Sequence, residues 1–276
     1  MTYLVNEQRL SVSRACAVVR LSRSAYYQPR IDWSERDRPV VDALNSAVAM
    51  NGRWGFWLCY DWLRNGGYGF NHKRVWRVYC DMKLNLPRRT KRRLPAIETQ
   101  PLQVPDNPNQ VWALDFMHDT LYHGKRFRTL NVIDEMNREA LAIEIDTSLP
   151  AGRVIRVMEQ LKELRGLPSA IRLDNGSELR AYAFVSWCEQ HGIELRFIQP
   201  GKPSQNAFVE RFNRTYRHEV LNAYLFDSLE QVREISAQWL SLYNEQRPHR
   251  ALGKLPPSVY RQRKTRSENS SFEMSA

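Results

Sequence analysis

Cysteine is scarce in this sequence. Cys16, Cys59, Cys80 and Cys188 are the only four in 276 residues, and none stands in CxxC or CxxxxH spacing. A disulfide framework and a thiolate zinc site are therefore unsupported, and the four read as reduced, mostly buried thiols. No apolar run approaches the roughly 18 residues that cross a bilayer, and the opening MTYLVNEQRL lacks a signal-peptide pattern, so the sequence predicts an intracellular protein with no membrane partner. The patterns GxSxG, GxxxxGK[ST] and GxGxxG are missing too, which leaves nucleotide hydrolysis and hydride transfer without support. Acidic residues are sparse in the first hundred positions, 8 against 18 lysines and arginines, whereas the remainder holds 22 against 23. A basic module joined to a near-neutral one fits a nucleic-acid grip attached to something else.

The chain divides by pattern. Residues 1–30 form a short helical leader with Ser22 or Ser24 as a cap. Residues 34–86 repeat apolar positions at helical spacing (Val40, Leu44, Ala47, Val48), turn at Asn65-Gly66-Gly67, and enter a basic helix capped by Asn71. That layout predicts a small all-α helix-turn-helix module with Lys73, Arg74 and Arg77 toward DNA; a solvated face on a packing helix explains the same pattern equally well. Residues 87–108 are a basic, proline-spaced linker whose Arg88, Arg89, Lys91, Arg92 and Arg93 would track phosphates. From 109 to 262 the order is three strands, then helices alternating with two more strands. This predicts an α/β domain, a ribonuclease-H-like mixed five-stranded sheet with flanking helices. Residues 263–276 are polar and predict a flexible tail.

Three acids stand out. Asp115 interrupts the apolar strand around Val111-Trp112-Ala113-Leu114, where a charge costs several kcal/mol, on the order expected for buried ions, unless it is paired or binds a metal. Asp174 ends a short apolar run just before Asn175-Gly176. Glu210 lies on a helix that sets Arg214 and Arg217 on its own face and Phe208, Phe212 and Tyr216 on another. Oxygen-only donors favour Mg²⁺ or Mn²⁺, and two such ions suit in-line displacement at phosphorus. Singly, Asp174 reads equally as a turn residue and Glu210 as half of a surface pair. Asp119, Asp134 and Asp146 compete for the first position, Asp134 most seriously.

The motifs WALDFMHD, RLDNGSE and PGKPSQNAFVERFNR, with 35 residues between the last two acids, resemble the DDE catalytic core of transposases of the insertion sequence 3 family. The resemblance extends to YNEQRPHRALGKLPP around His249. It implies Asp115, Asp174 and Glu210 as catalytic metal ligands, probing strand cleavage at element ends and strand transfer by 3′-OH attack. It further implies Asn175, Gly176, Lys202, Gln205 and Asn206 beside the site, Lys202 and Gln205 against DNA, and Arg211 as a phosphate contact. It implies a frame B product that partners or fuses with a frame A product, a homo-oligomer on DNA, and a place in the bacterial cytoplasm with the nucleoid. Leu179 departs from the family's usual aromatic, and His249 is read either as a neighbour of the acids or as structural. A nuclease that cuts without joining and a DNA-binding regulator are the competing functions.

Overall fold

Alternation decides the strands. Along Val111–Thr120 (β1), Trp112 and Leu114 point to one face while Ala113, Asp115 and Met117 point to the other, as the two-residue strand period requires. Arg126–Asp134 (β2) returns antiparallel after a turn in which Gly124 takes φ +85°, and Ala140–Asp146 (β3) pairs antiparallel with it. Ala170–Leu173 (β4) and Glu194–Phe197 (β5) add in parallel on the other side of β1, for a sheet order β3-β2-β1-β4-β5. This is the mixed five-stranded α/β sheet that the sequence predicts.

The computed structural model describes residues 2–28, 33–87, 102–199 and 203–273. The expected DNA contacts Arg88, Arg89, Lys91, Arg92, Arg93 and Lys202 lie outside the described residues. Among the described residues, no helix is long and apolar enough to cross a membrane.

Each face of the sheet carries its own core. Helices Ala151–Arg165 and Tyr182–Gln190 bury Val154, Met158, Phe184 and Trp187 against Trp112, Leu130 and Ile171. Leu179 is fully buried in this layer. On the opposite face, Ala207–Tyr216 (αC) and Leu229–Glu245 bury Phe212, Tyr216, Trp239 and Tyr243 against Ala113, Phe127 and Ile145. The second of these helices opens on Ser228, whose hydroxyl accepts from the Gln231 amide.

Two compact units make up the chain, residues 1–43 and 44–276. In the first, Thr2–Asn6, Val12–Val18 and Arg23–Tyr27 are short helices, the third capped by Ser22 through the Ala25 amide. The helix Trp33–Met50 runs across the boundary. In the second, Phe56–Asn65 and His72–Asp81 bury Phe56, Cys59, Leu63, Val75, Val78 and Tyr79. Asn71 caps the latter helix by accepting from the Lys73 amide at 2.9 Å. This helical pair is tied to the sheet domain: Asn65 Nδ2 donates to the Lys254 carbonyl at 2.8 Å, Arg53 donates to the Asn222 carbonyl at 3.2 Å, and Lys254 lies 3.0 Å from the buried Asp61 carboxylate.

The helix Pro257–Glu273 continues into the polar tail, and from Ser258 to Glu273 the run holds no glycine or proline to break it. One expectation needs correction. The single helix expected to carry Glu210, Arg214 and Arg217 is composite, a 3₁₀ turn at Pro203–Asn206, then αC, then a π turn at Arg217–Leu221. The wider turn keeps Val220 and Leu221 buried and also buries Glu219, which accepts from Trp239 Nε1 and from Arg247.

Phe212 is fully buried among Tyr216, Trp239 and Tyr243. Phe212→Ala is expected to cost about 3–5 kcal/mol in urea unfolding, and a loss below about 1 kcal/mol would show that this face of the sheet is not a packed core.

Candidate active site

Asp115 leaves β1 on the αC face and is half-buried, directly opposite Asn131 of β2. Its two oxygens are held separately: Oδ1 accepts from the Phe116 amide at 2.8 Å, and Oδ2 accepts from Asn213 Nδ2 at 2.7 Å. Asn213 sits on αC one turn after Glu210 and is held in turn by Asn131 Nδ2, which donates to its Oδ1 at 2.6 Å. Two asparagines between strand and helix thus aim the carboxylate. Neither was marked by the sequence reading. Their signal was available, since a polar residue among the apolar positions of αC and another at the centre of β2 both require partners when buried.

Asp174 follows β4, and its Oδ1 accepts from the Gly176 amide at 3.0 Å. A Cβ added to Gly176 would stand 3.0 Å from that same oxygen, so the glycine makes room for the acid's own carboxylate. Asn175 Nδ2 donates to the Ile198 carbonyl at 2.8 Å, and Arg128 pairs with Glu178, whose carboxyl it holds down at about 2. The loop carrying Asp174 is thereby fastened at both ends. Glu210 is half-buried in the first turn of αC.

Asp115 senses the other two acids. Burial pushes the Asp115 carboxyl up to about 6, and the charges of Asp174 and Glu210 push in the same direction, against the Phe116 and Asn213 hydrogen bonds. As they stand, however, no three His, Cys, Asp or Glu side chains among the described residues are gathered closely enough to hold an ion. The competitors are committed elsewhere. Asp119 pairs with Arg217 at 3.0 Å, Asp134 accepts from the Asn109 and Met136 amides, and Asp146 lies within 3.4 Å of Arg153.

The expected DNA contacts fall into two groups. Arg211, Arg214, Lys73 and Arg77 are exposed, Arg74 is half-buried, and Gln205 accepts from the Gln199 amide at 2.8 Å. Arg77 also lies 3.8 Å from Asp81. Two turn inward instead. Asn206 is buried and donates to the Leu114 carbonyl at 3.3 Å, which anchors the start of αC beside Asp115. Arg217 donates to Asp119 and to the His118 carbonyl, so it does not share a free face with Glu210 as helical spacing predicts. His249 packs edge-on to Tyr243, with ring centroids 4.7 Å apart.

A mixed sheet with one acid at mid-strand, one after the parallel neighbour and one on the covering helix defines a phosphoryl-transfer class of domain. Comparison with known proteins agrees: residues 105–203 and 191–257 each match a family described as an integrase core domain. A protein of insertion element IS407 from Burkholderia multivorans is 36% identical over 94% of this chain and 94% of its own length. A protein of insertion element IS476 from Xanthomonas euvesicatoria is 36% identical over 91% of this chain and 72% of its own length. The catalytic core domain of HTLV-2 integrase, in complex with magnesium, aligns over 52% of this chain and 92% of that one, with 21% identity and a TM-score of 0.43. The chain belongs to the insertion-element transposases with a DDE integrase core, polynucleotidyl transferases that act in DNA recombination.

The raised Asp115 carboxyl carries a sign. Because its folded value exceeds that of the unfolded chain, its contribution is full below about 4 and is lost as pH rises through about 6. With chelator present, the wild type is expected to lose on the order of 2 kcal/mol across that window relative to Asp115→Asn, measured by urea unfolding. Parallel pH dependences in the two proteins would remove the acid cluster as the cause.

Proposed function

We propose that Asp115, Asp174 and Glu210 form the catalytic site of a transposase that cleaves DNA at the ends of its element and joins the freed 3′-OH to another phosphodiester. The observation that carries this reading is that Asp115, half-buried on β1 and held by Asn213 of αC, lies within electrostatic reach of Asp174, from the loop after β4, and Glu210 of αC. Like charges brought together in a half-buried place call for a cation. The donor set fits one: every donor is a carboxylate oxygen, which suits Mg²⁺ or Mn²⁺.

Bound there, two such ions would activate the attacking oxygen and stabilise the leaving one. The chain's own residues supply the rest. Asn213 and the Phe116 amide orient Asp115, the Gly176 amide orients Asp174, and the Arg128–Glu178 pair fastens the loop that presents it. The exposed guanidinium of Arg214, one turn beyond Glu210, is available to a DNA phosphate. Sharing one ion would require the three carboxylates to stand closer than they do here. The helical pair from Phe56 to Asp81 grips duplex DNA through Lys73, Arg74 and Arg77. Family membership supports work as an oligomer on DNA in company with a frame A product.

The test is an oligonucleotide strand-joining assay with Mg²⁺, using the chain alone and fused to frame A. Asp115→Asn, Asp174→Asn and Glu210→Gln are each expected to lower joining by roughly three orders of magnitude or more while duplex binding persists. Joining retained by any one of them would remove that residue from the site.

A further inference from the structure

A cleft of about 610 Å³ opens where the helical pair meets the sheet domain. Along one wall run Phe208, Arg211 and Thr215 of αC; along the other runs the start of the helix Phe56–Asn65, with Arg138 and His249 also lining the space. Glu210 and Arg211 are adjacent, so αC presents the acid and Asn213 toward β1 and presents Arg211 to the cleft on its other flank.

The cleft is cationic and unsaturated. Arg138 is stacked over Phe208, its guanidinium carbon 3.3 Å from the ring centroid, and donates to the Glu135 carbonyl. Burial lowers it to about 10, which leaves it charged at neutral pH. Among the described residues, neither Arg138, Arg211 nor Arg250 forms a salt bridge. The other charges there are spent: Arg247 on Glu219 at 2.8 Å, and Asp61 on Lys254 at 3.0 Å.

Two kinds of polar group also lack a partner. His249 Nε2 is shut off from solvent with no hydrogen bond, a condition that buried polar atoms rarely tolerate. The Phe56 and Trp57 amides open a ten-residue helix whose N-cap is Gly55, with no side-chain cap, and such amides favour an anion. Beside them Trp57 is half exposed, with the Arg250 guanidinium 6.0 Å from its ring centroid, an aromatic surface of the sort that nucleotides stack on.

We propose that this cleft is a second DNA site, which binds a backbone phosphate through Arg138, Arg211 and the first amides of the helix Phe56–Asn65, with His249 lining it. Cations, amides and an aromatic wall together match a phosphodiester better than a lone carboxylate. The inference rests on the strand-transfer reading of the acids, and it adds a fixed point. A phosphate held on the far flank of αC sets the spacing between the DNA gripped by the helical pair and the DNA presented to the acids.

The test uses the full chain with chelator present, so that no chemistry occurs. A fluorescein-labelled random-sequence duplex is titrated by anisotropy at several salt concentrations, and Arg211→Gln is expected to reduce the slope of log affinity against log salt by about 1. In parallel, the His249 Nε2 resonance, assigned by its loss in His249→Gln, is expected to move saturably as the same duplex is added. Inorganic phosphate forms a separate arm. Movement with duplex, whether or not free phosphate also moves the signal, supports the site; movement with phosphate alone overturns its role in DNA binding. An unchanged slope or an unmoved resonance with duplex overturns the proposal. Repeating both readouts in Asp174→Asn separates the two readings, since a persisting response with strand joining intact in that variant would defeat the acid assignment and leave the cleft standing.

Discussion

The structure depends on keeping a carboxylate in the middle of an apolar strand. Asp115 shares a sheet face with Ala113 and Met117, where burial works against its charge. What holds it is the Asn131–Asn213 pair, with one amide on the neighbouring strand and one on the helix above. That pair fixes the rotation of αC relative to β1. Once the rotation is fixed, Glu210 falls on the acid side of the helix, Arg211 falls on the cleft side, and Phe212 and Tyr216 enter the core. Asn206 reinforces the same setting from the start of the helix through the Leu114 carbonyl.

A division of labour between the two faces of the sheet follows. The face under the helices Ala151–Arg165 and Tyr182–Gln190 is an apolar layer from Trp112 to Ile193. The opposite face mixes aromatic packing with committed polar groups, such as Tyr216 with Ser236 at 2.6 Å and Glu219 with Trp239 and Arg247. Buried polar groups of this kind are tolerated only when satisfied, and each satisfied pair excludes a rotated or shifted helix. Chemistry is gathered on the face whose packing is specified by hydrogen bonds.

Much of this was legible in the sequence, for identifiable reasons. Strand alternation around Asp115, the Asn175-Gly176 turn after Asp174, and the caps Asn71 and Ser228 are local signals, and the structure carries those elements where the signals lie. The helix starting near Gln205 was legible in its apolar face but not in its termination, because a π turn depends on where Glu219 finds Arg247, 28 residues later. Arg217 and Asn206 illustrate the same limit: helical spacing says which residues share a face, and only the fold says that Asp119 and the Leu114 carbonyl stand within reach. The resemblance places Gly176 beside the site, and the structure adds that its missing side chain leaves space for Asp174.

The most direct measurement of the central claim is the position of Mn²⁺ in crystals of the full chain, located by its anomalous scattering. The account predicts manganese bound by carboxylate oxygens of Asp115, Asp174 and Glu210 together, with the Asp174 loop and αC closed around it. Manganese bound elsewhere, with Asp115 still held only by Asn213 and the Phe116 amide, would contradict it.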